Sequence, residues 1–183
     1  MKVSYYPGCA LHGTAREYDE STKALSALLD VELLELPDWN CCGASSAHVT
    51  DDALAHNLVA RNLAIAEKEG RDVVVPCAAC YSRLKAGERE REAGGRKLPF
   101  RILSLLELLA DEELAGRVQK GVKRPLAGLR MVSYYGCLLV RPPKVTGAKK
   151  YENPEEMDRV LGLLGAEMIP WSYKTDCCGG SLV

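Results

Sequence analysis

The cysteines come in groups, and the groups come twice. Cys9 is followed by Cys41-Cys42-Gly43 and then by Cys77-Ala-Ala-Cys80. Further along lie Cys137 and a second pair, Cys177-Cys178-Gly179. The flanking sequence repeats in the same order. Val3-Ser-Tyr-Tyr-Pro-Gly-Cys9 reappears as Val132-Ser-Tyr-Tyr-Gly-Cys137, and Tyr18–Leu29 matches the helical pattern of Tyr151–Leu164. Glu35-Leu-Pro-Asp-Trp-Asn-Cys-Cys-Gly43 has a looser echo in Ile169-Pro-Trp-Ser-Tyr-Lys-Thr-Asp-Cys-Cys-Gly179. Two distant anchors in one order point to duplication of a structural unit. We expect two related halves, residues 1–121 and 122–183, each collecting separated thiols.

Periodicity gives each half its class. Lys2–Tyr6 and Arg130–Tyr135 are rich in Val and Tyr and read as strands ending at Gly-Cys turns. Ala15–Leu29 carries Ala24, Leu25, Leu28 and Leu29 at helical spacing, and Val31–Leu36 is a strand stopped by Pro37. Thr50 or Asp51 caps a helix ended by Gly70, with Leu54, Leu58, Leu63 and Ile65 as its apolar side. Asp72–Val75 reads as a buried strand and Ser104–Val118 as an amphipathic helix; between them, a helix after Cys80 gives way to a solvated connector within Arg83–Leu98. Alternating strands and helices predict an α/β fold of two pseudo-repeated halves with mainly parallel sheets, the second half incomplete.

Eight cysteines among 183 residues would be ordinary in a disulfide-stapled secreted domain. Here nothing at the N-terminus reads as an export leader, and the predicted location is cytoplasmic. No apolar stretch is long enough to insert into a membrane. With 24 basic and 25 acidic residues the net charge is −1, which gives no footprint for nucleic acid. Thiols in a reducing compartment point to metal or redox chemistry. In a parallel sheet, cysteines placed after strands lie along one edge, so Cys9, Cys41, Cys42, Cys77 and Cys80 are expected to converge. Gly8 and Gly43 let the backbone turn closely beside a bulky group. Five thiolates exceed the four of tetrahedral zinc or of an ordinary cubane cluster. A structural zinc site and a thioredoxin-like Cys-x2-Cys exchanger stay open as alternatives on these grounds alone.

The pattern Cys-x31-Cys-Cys-Gly-x33-Cys-x2-Cys resembles the cysteine-rich CCG domain of the heterodisulfide reductase B subunit, a domain shared with iron–sulfur subunits of glycolate, lactate and glycerol-3-phosphate oxidation systems. The opening Val-Ser-Tyr-Tyr-Pro-Gly-Cys and the Cys-Cys-Gly-Gly-Ser at 177–181 favour the B subunit. The resemblance implies an oxidoreductase subunit that takes electrons from a partner and takes part in reductive cleavage of a disulfide substrate. It implies a noncubane 4Fe–4S cluster on Cys9, Cys41, Cys42, Cys77 and Cys80, and a second, partial site at Cys137, Cys177 and Cys178. Zinc can occupy such thiolates in iron-free preparations. The implied partners are an A-type flavin subunit and a C-type iron–sulfur subunit, since this sequence carries no flavin, nicotinamide or ferredoxin fingerprint. The resemblance also implies a closing Cys-x2-Cys in the second motif, whereas the sequence stops at Val183. The chain is therefore read as truncated there and, alone, inactive.

Other side chains are given plainer roles. Tyr5, Tyr6, Tyr134 and Tyr135 read as strand residues with one of each pair buried. His12, His48 and His56 are expected at the surface or as caps. Trp39 and Trp171 read as packing residues, Glu88–Glu92 as a solvent-facing run, and Arg83, Arg141, Lys144, Lys149 and Lys150 as a solvated face.

Overall fold

The structure is a computed structural model that describes residues 1–44 and 47–180. Ser181, part of the Cys-Cys-Gly-Gly-Ser signature, lies outside the described residues. The chain divides into two compact units, Met1–Leu105 and Leu106–Val183. Both are mixed α/β, and every strand pairing is parallel.

The first unit holds a four-stranded sheet in the order β2-β1-β3-β4. Its strands are β1 (Lys2–Tyr5), β2 (Glu32–Glu35), β3 (Val73–Val75) and β4 (Ile102–Ser104). The chain passes from β1 outward to β2 through α1 (Gly8–His12) and α2 (Arg16–Leu28). It then crosses back over β1 to β3 through α3 (Ala47–Thr50) and α4 (Asp52–Glu69), and reaches β4 through α5 (Ala78–Ala93). The direction of winding reverses between β1 and β3, and the crevice beyond the carboxyl ends at such a reversal is where ligands bind in open parallel sheets. Cys9 follows β1 and Cys77 follows β3, so the reversal places both at that crevice.

The core explains the register. Val3, Tyr5, Val73, Val74, Val75 and Ile102 are all buried, and β3 is apolar throughout because both its faces are covered. Helix α4 is set at both ends: Asp51 accepts a hydrogen bond from Leu54 N, and Gly70 closes the helix in the left-handed region. Its buried face is Ala55, Val59, Asn62, Leu63 and Ala66, whereas Leu54 is 46% exposed. The expected stripe through Leu54 and Leu58 is thus rotated. Gly87 of α5 lies against Val59 and Leu63, where an added Cβ would come within 2.4 Å of Val59 Cγ1. The notch admits Val59 and Leu63 and so sets their side of α4 against α5.

Several sequence expectations are corrected. The helix after Cys80 does give way to an exposed connector, at 94–97, but only after Ala93, since the Gly87 notch packs α5 on α4. Within the charge run Glu88 is buried and paired with Lys85, while Arg91 reaches Glu67 and Glu90 pairs with His56. Ser104–Val118 is not one helix: β4 takes its start, α6 (Leu105–Leu109) follows, and α7 (Glu112–Gly121) begins afresh with Asp111 as its cap. The α2 face differs too, since Thr22 and Ser26 are buried and Leu28 is 82% exposed.

The second unit repeats the first strand–helix–strand step. A two-stranded sheet pairs β5 (Arg130–Met131) with β6 (Glu167–Met168). Between them lie α8 (Pro143–Thr146) and α9 (Glu156–Leu163), the latter packed on α7. Strand β5 is shorter than the expected Arg130–Tyr135. Among the described residues the backbone ladder to β6 runs from Glu167 N–H on Leu129 O to Ile169 N–H on Met131 O and goes no further.

The strand pairs fix how the halves correspond. Lys2 faces and pairs with Glu32, and Arg130 faces and pairs with Glu167. Counting from either basic residue, Cys9 and Cys137 fall at the same place, and so do Tyr6 and Tyr134. The identical letters Val-Ser-Tyr-Tyr are therefore out of step by one residue in space. Tyr5 corresponds to Ser133: Tyr5 OH donates to Asp19 Oδ1 at 2.7 Å in α2, and Ser133 Oγ donates to Asp158 Oδ1 at 3.0 Å in α9.

Candidate functional site

Three segments after the carboxyl ends of β1, β2 and β3 carry the first five cysteines, with Cys9 in α1 and Cys80 in the first turn of α5. Gly8 adopts φ +72°, and a Cβ there would stand 2.7 Å from Cys80 Sγ, so only glycine lets the Cys9 turn approach the Cys77–Cys80 turn. Cys42 and Cys80 bring their sulfurs to 3.3 Å. Cys80 lies near enough to Cys77, and Cys41 near enough to Cys9, to shift that thiol's ionisation, and Cys9 also feels the charge of Cys42 and Cys77. Of the five thiols expected to converge, Cys42 and Cys80 are in direct contact and the other three lie on the segments beside them. All are free, and among the described residues no three Cys, His, Asp or Glu side chains are arranged around a single metal ion.

Proton sharing among these thiols is uneven. Hydrogen bonds to Cys42 and Cys77 hold the proton on Cys80, whose pKa is driven upward. The Cys80 hydrogen bond brings Cys77 down to about 6 against the opposing effect of burial, aided by the N–H groups of Ala79 and Cys80 at the start of α5. The Cys80 hydrogen bond likewise brings Cys42 down to about 7, again against burial, with help from the Ala44 N–H and the Arg83 guanidinium. Arg83 is half-buried rather than solvated, and among the described residues its buried Nε has no hydrogen-bond partner. Thiols that ionise readily, beside backbone N–H groups and a part-buried guanidinium, suit an anionic group bound through sulfur.

Polar and aromatic residues brace the Cys41-Cys42 turn. Tyr6 and Tyr5 are both buried, against the expectation of one from that pair. Tyr6 OH donates to Asn40 O at 2.6 Å, and the ring meets Trp39 edge-on at 5.3 Å. Trp39 is also braced by His12 at 5.1 Å and by Glu35. Gly43 N–H points at Cys41 Sγ at 3.4 Å. Asn62, Arg61 and Asn40 hold the approach to this turn, and sequence reading missed all three. The available signal was Asn62 itself, a polar residue in phase with Ala55, Val59 and Ala66 on the buried side of a helix.

The second group is built alike and left open. Cys137 hydrogen-bonds Cys177, and Gly179 and Gly180 N–H point at Cys177 Sγ and Cys178 Sγ at 3.3 and 3.4 Å. Tyr134 OH donates to Asp176 O at 2.8 Å, the counterpart of Tyr6 and Asn40, since each acceptor immediately precedes a cysteine pair. Trp171 donates to Ser133 O and packs against Tyr134 and Tyr173. Cys177 and Cys178 are exposed. Arg141 donates to Thr175 and Lys150 pairs with Glu155, so these two cations of the expected basic face have protein partners.

The comparisons agree with this geometry. The profile of the cysteine-rich CCG domain matches residues 3–85 and 131–183, which contain all eight cysteines. The chain is 32% identical to the membrane anchor subunit of the 8-methylmenaquinol:fumarate reductase of Wolinella succinogenes, over 97% of this chain and 67% of that one. It is 26% identical to the B subunit of the ferredoxin/F(420)H(2)-dependent CoB-CoM heterodisulfide reductase of Methanosarcina acetivorans, over 97% of this chain and 65% of that one. A protein of Archaeoglobus profundus, itself described as like the B subunit of heterodisulfide reductase, is 22% identical over 98% of this chain. The chain thus spans about two thirds of the length of these relatives. Among the described residues no helix is long and apolar enough to cross a membrane. With five thiols on the segments after β1, β2 and β3, three more in a matching turn, and the profile covering both, the chain belongs to the cysteine-rich CCG domain family.

Proposed function

We propose that the chain is an iron–sulfur electron-transfer subunit of a heterodisulfide reductase-like complex. Cys9, Cys41, Cys42, Cys77 and Cys80 hold a noncubane 4Fe–4S cluster, and Cys137, Cys177 and Cys178 contribute to a second site. The carrying observation is the placing of five thiols on the three segments after β1, β2 and β3, with Cys42 and Cys80 in contact and Gly8 clearing the approach to Cys80. The residues fit such a group: all donors are sulfur, and the orphaned Arg83 Nε beside them suits a net negative charge. When bound, the cluster supplies one-electron chemistry that a protein side chain cannot. The chain's own residues do the rest. The α5 N-terminus aims N–H groups at the Cys77 sulfur, which favours its thiolate form, and Gly43 N–H points at Cys41 Sγ. Tyr6 and Trp39 wall off one side from water, and Cys9 stays exposed where a disulfide or a partner can approach. A flavin subunit of A type and an iron–sulfur subunit of C type deliver the electrons, and a disulfide accepts them. Eight free cysteines are at home in the reducing cytoplasm, which is the location proposed.

The greater identity to a fumarate reductase subunit favours a second reading, in which the same site passes electrons within a quinol-dependent complex. Anaerobic reconstitution with iron and sulfide, followed by metal counting and electron paramagnetic resonance, tests what both readings share. We expect about four irons and four sulfides at the first site. Zinc retention with no iron uptake overturns both. Within a complex assembled with its partner subunits, reoxidation of the reduced site by a heterodisulfide, and not by a quinone, separates the first reading from the second.

A further inference from the structure

We propose that Asn62, acting with the Tyr6 hydroxyl, is the positioning residue of the first cysteine site. Asn62 is 1% exposed in the middle of α4, yet it carries three hydrogen bonds, all directed at the approach to Cys41. Its Oδ1 accepts from Asn40 N–H at 3.0 Å, and its Nδ2 donates to Asn40 O at 2.9 Å and to Tyr6 OH at 3.4 Å. One side-chain amide therefore grips both backbone polar groups of the residue before the cysteine pair. Tyr6 OH donates to the same carbonyl from the sheet side. Asn40 passes the restraint on, donating through Nδ2 to Cys41 O at 2.7 Å. Arg61, next to Asn62 on α4, donates to Asn40 Oδ1 at 2.8 Å and to Asp38 O at 2.6 Å.

Only asparagine meets this demand at its length. The grip needs an acceptor and a donor on one short planar group; aspartate offers no donor, and leucine leaves Asn40 N–H unsatisfied. The helix that carries the grip packs through Val59 and Leu63 on Gly87 of α5, the helix that carries Cys77 and Cys80 at its start. Asn62 thus ties the position of the cysteine pair to that of the Cys-x2-Cys turn. In the second unit Tyr134 makes the tyrosine bond, and among the described residues no asparagine accompanies it.

The ligand role of the thiols rests on the proposed function, but the positioning role is tested without metal. The full chain, cluster-free, reduced and anaerobic, is treated with iodoacetamide, and alkylation at each cysteine is followed by peptide mass spectrometry. We expect Asn62→Leu to speed alkylation of Cys41 and Cys42 on the order of tenfold and Tyr6→Phe about threefold, with Cys137 and Cys177 unchanged. Asn62→Asp, which keeps the acceptor and loses the donor, should fall between. Tyr134→Phe should move Cys177 less than Tyr6→Phe moves Cys41. After reconstitution, Asn62→Leu should broaden or shift the paramagnetic resonance of the first site. If Asn62 serves only the core, Asn62→Leu changes the urea midpoint and leaves all cysteine rates within about twofold; that result overturns the proposal. Should Asn62→Leu fail to fold, Tyr6→Phe decides alone, and unchanged Cys41 alkylation overturns it. Failure of the wild type to take up iron would overturn the proposed function and leave this inference standing on its alkylation rates.

Discussion

Tyr6 and Tyr134 make the same hydrogen bond at the same place in two copies of one motif, yet Tyr6 is fully buried and Tyr134 is 44% exposed. The strands, the helix acidic residue and the cysteine pair are all matched. What differs is the neighbour on the other side of the first strand. In the first unit Ser4 N–H donates to Asp72 O at 2.8 Å and Tyr6 N–H to Val74 O at 2.9 Å, so β3 seals that edge and α4 and α5 follow from it. In the second, β5 pairs only with β6 among the described residues. The contrast teaches that the thiol-bearing turn needs only one strand–helix–strand step to form. Covering and bracing it need a third strand and two more helices.

Amide hydrogen exchange should show the largest effect. Ser4 and Tyr6 sit inside a sealed sheet and Val132 and Tyr134 do not, so the first pair should exchange slower by on the order of a thousandfold. Equal rates in the two pairs would break the comparison. The next effect sets Asp158 against Asp19. Asp158 neutralises the buried Lys174 at 2.6 Å, whereas Asp19 pairs with the half-exposed Lys23. Asp158→Ala should cost about 3 kcal/mol by stranding a buried charge. Asp19→Ala should cost only about 1 kcal/mol, read from urea denaturation. Burial pushes the Asp19 carboxyl upward, but hydrogen bonds from Lys23 and Tyr5 outweigh it and hold the pKa below the usual range. Its stabilisation is therefore complete above the unfolded carboxylate pKa and is lost as pH falls through the folded value. An Asp19→Ala variant should accordingly lose its deficit against the wild type in acid. The smallest effect compares Gly8 with Gly136. Both have positive φ, so alanine costs each about 1 kcal/mol or more. Only at Gly8 does the new methyl meet a sulfur, at 2.7 Å, while at Gly136 the nearest atom is 3.9 Å away. Gly8→Ala should therefore exceed Gly136→Ala by about 1 kcal/mol and alone disturb thiol reactivity.

Much of this was legible from residue order. The parallel α/β class, the α4 limits at Asp51 and Gly70, and the placing of cysteines just after β1, β2 and β3 follow from patterns that act over a few residues. What escaped depends on tertiary approach. The Gly87 notch turns α4 so that Asn62 is buried and Leu54 is not, and it keeps α5 going through a charged stretch. The repeat was visible, but its spatial register was not. Pro7 shifts the identical tyrosine letters by one, and only the strand pairs Lys2 with Glu32 and Arg130 with Glu167 show which positions match.

The continuity of the first sheet along the chain has a consequence for biogenesis. Every strand of β2-β1-β3-β4 and every thiol of the first site comes from the segment ending at Ser104. Chains emerge from the ribosome N-terminus first and fold domain by domain. All five thiols of the first group are therefore synthesised before Cys137, Cys177 and Cys178. The first sheet can thus close around its own cysteines without a strand from any residue after Ser104.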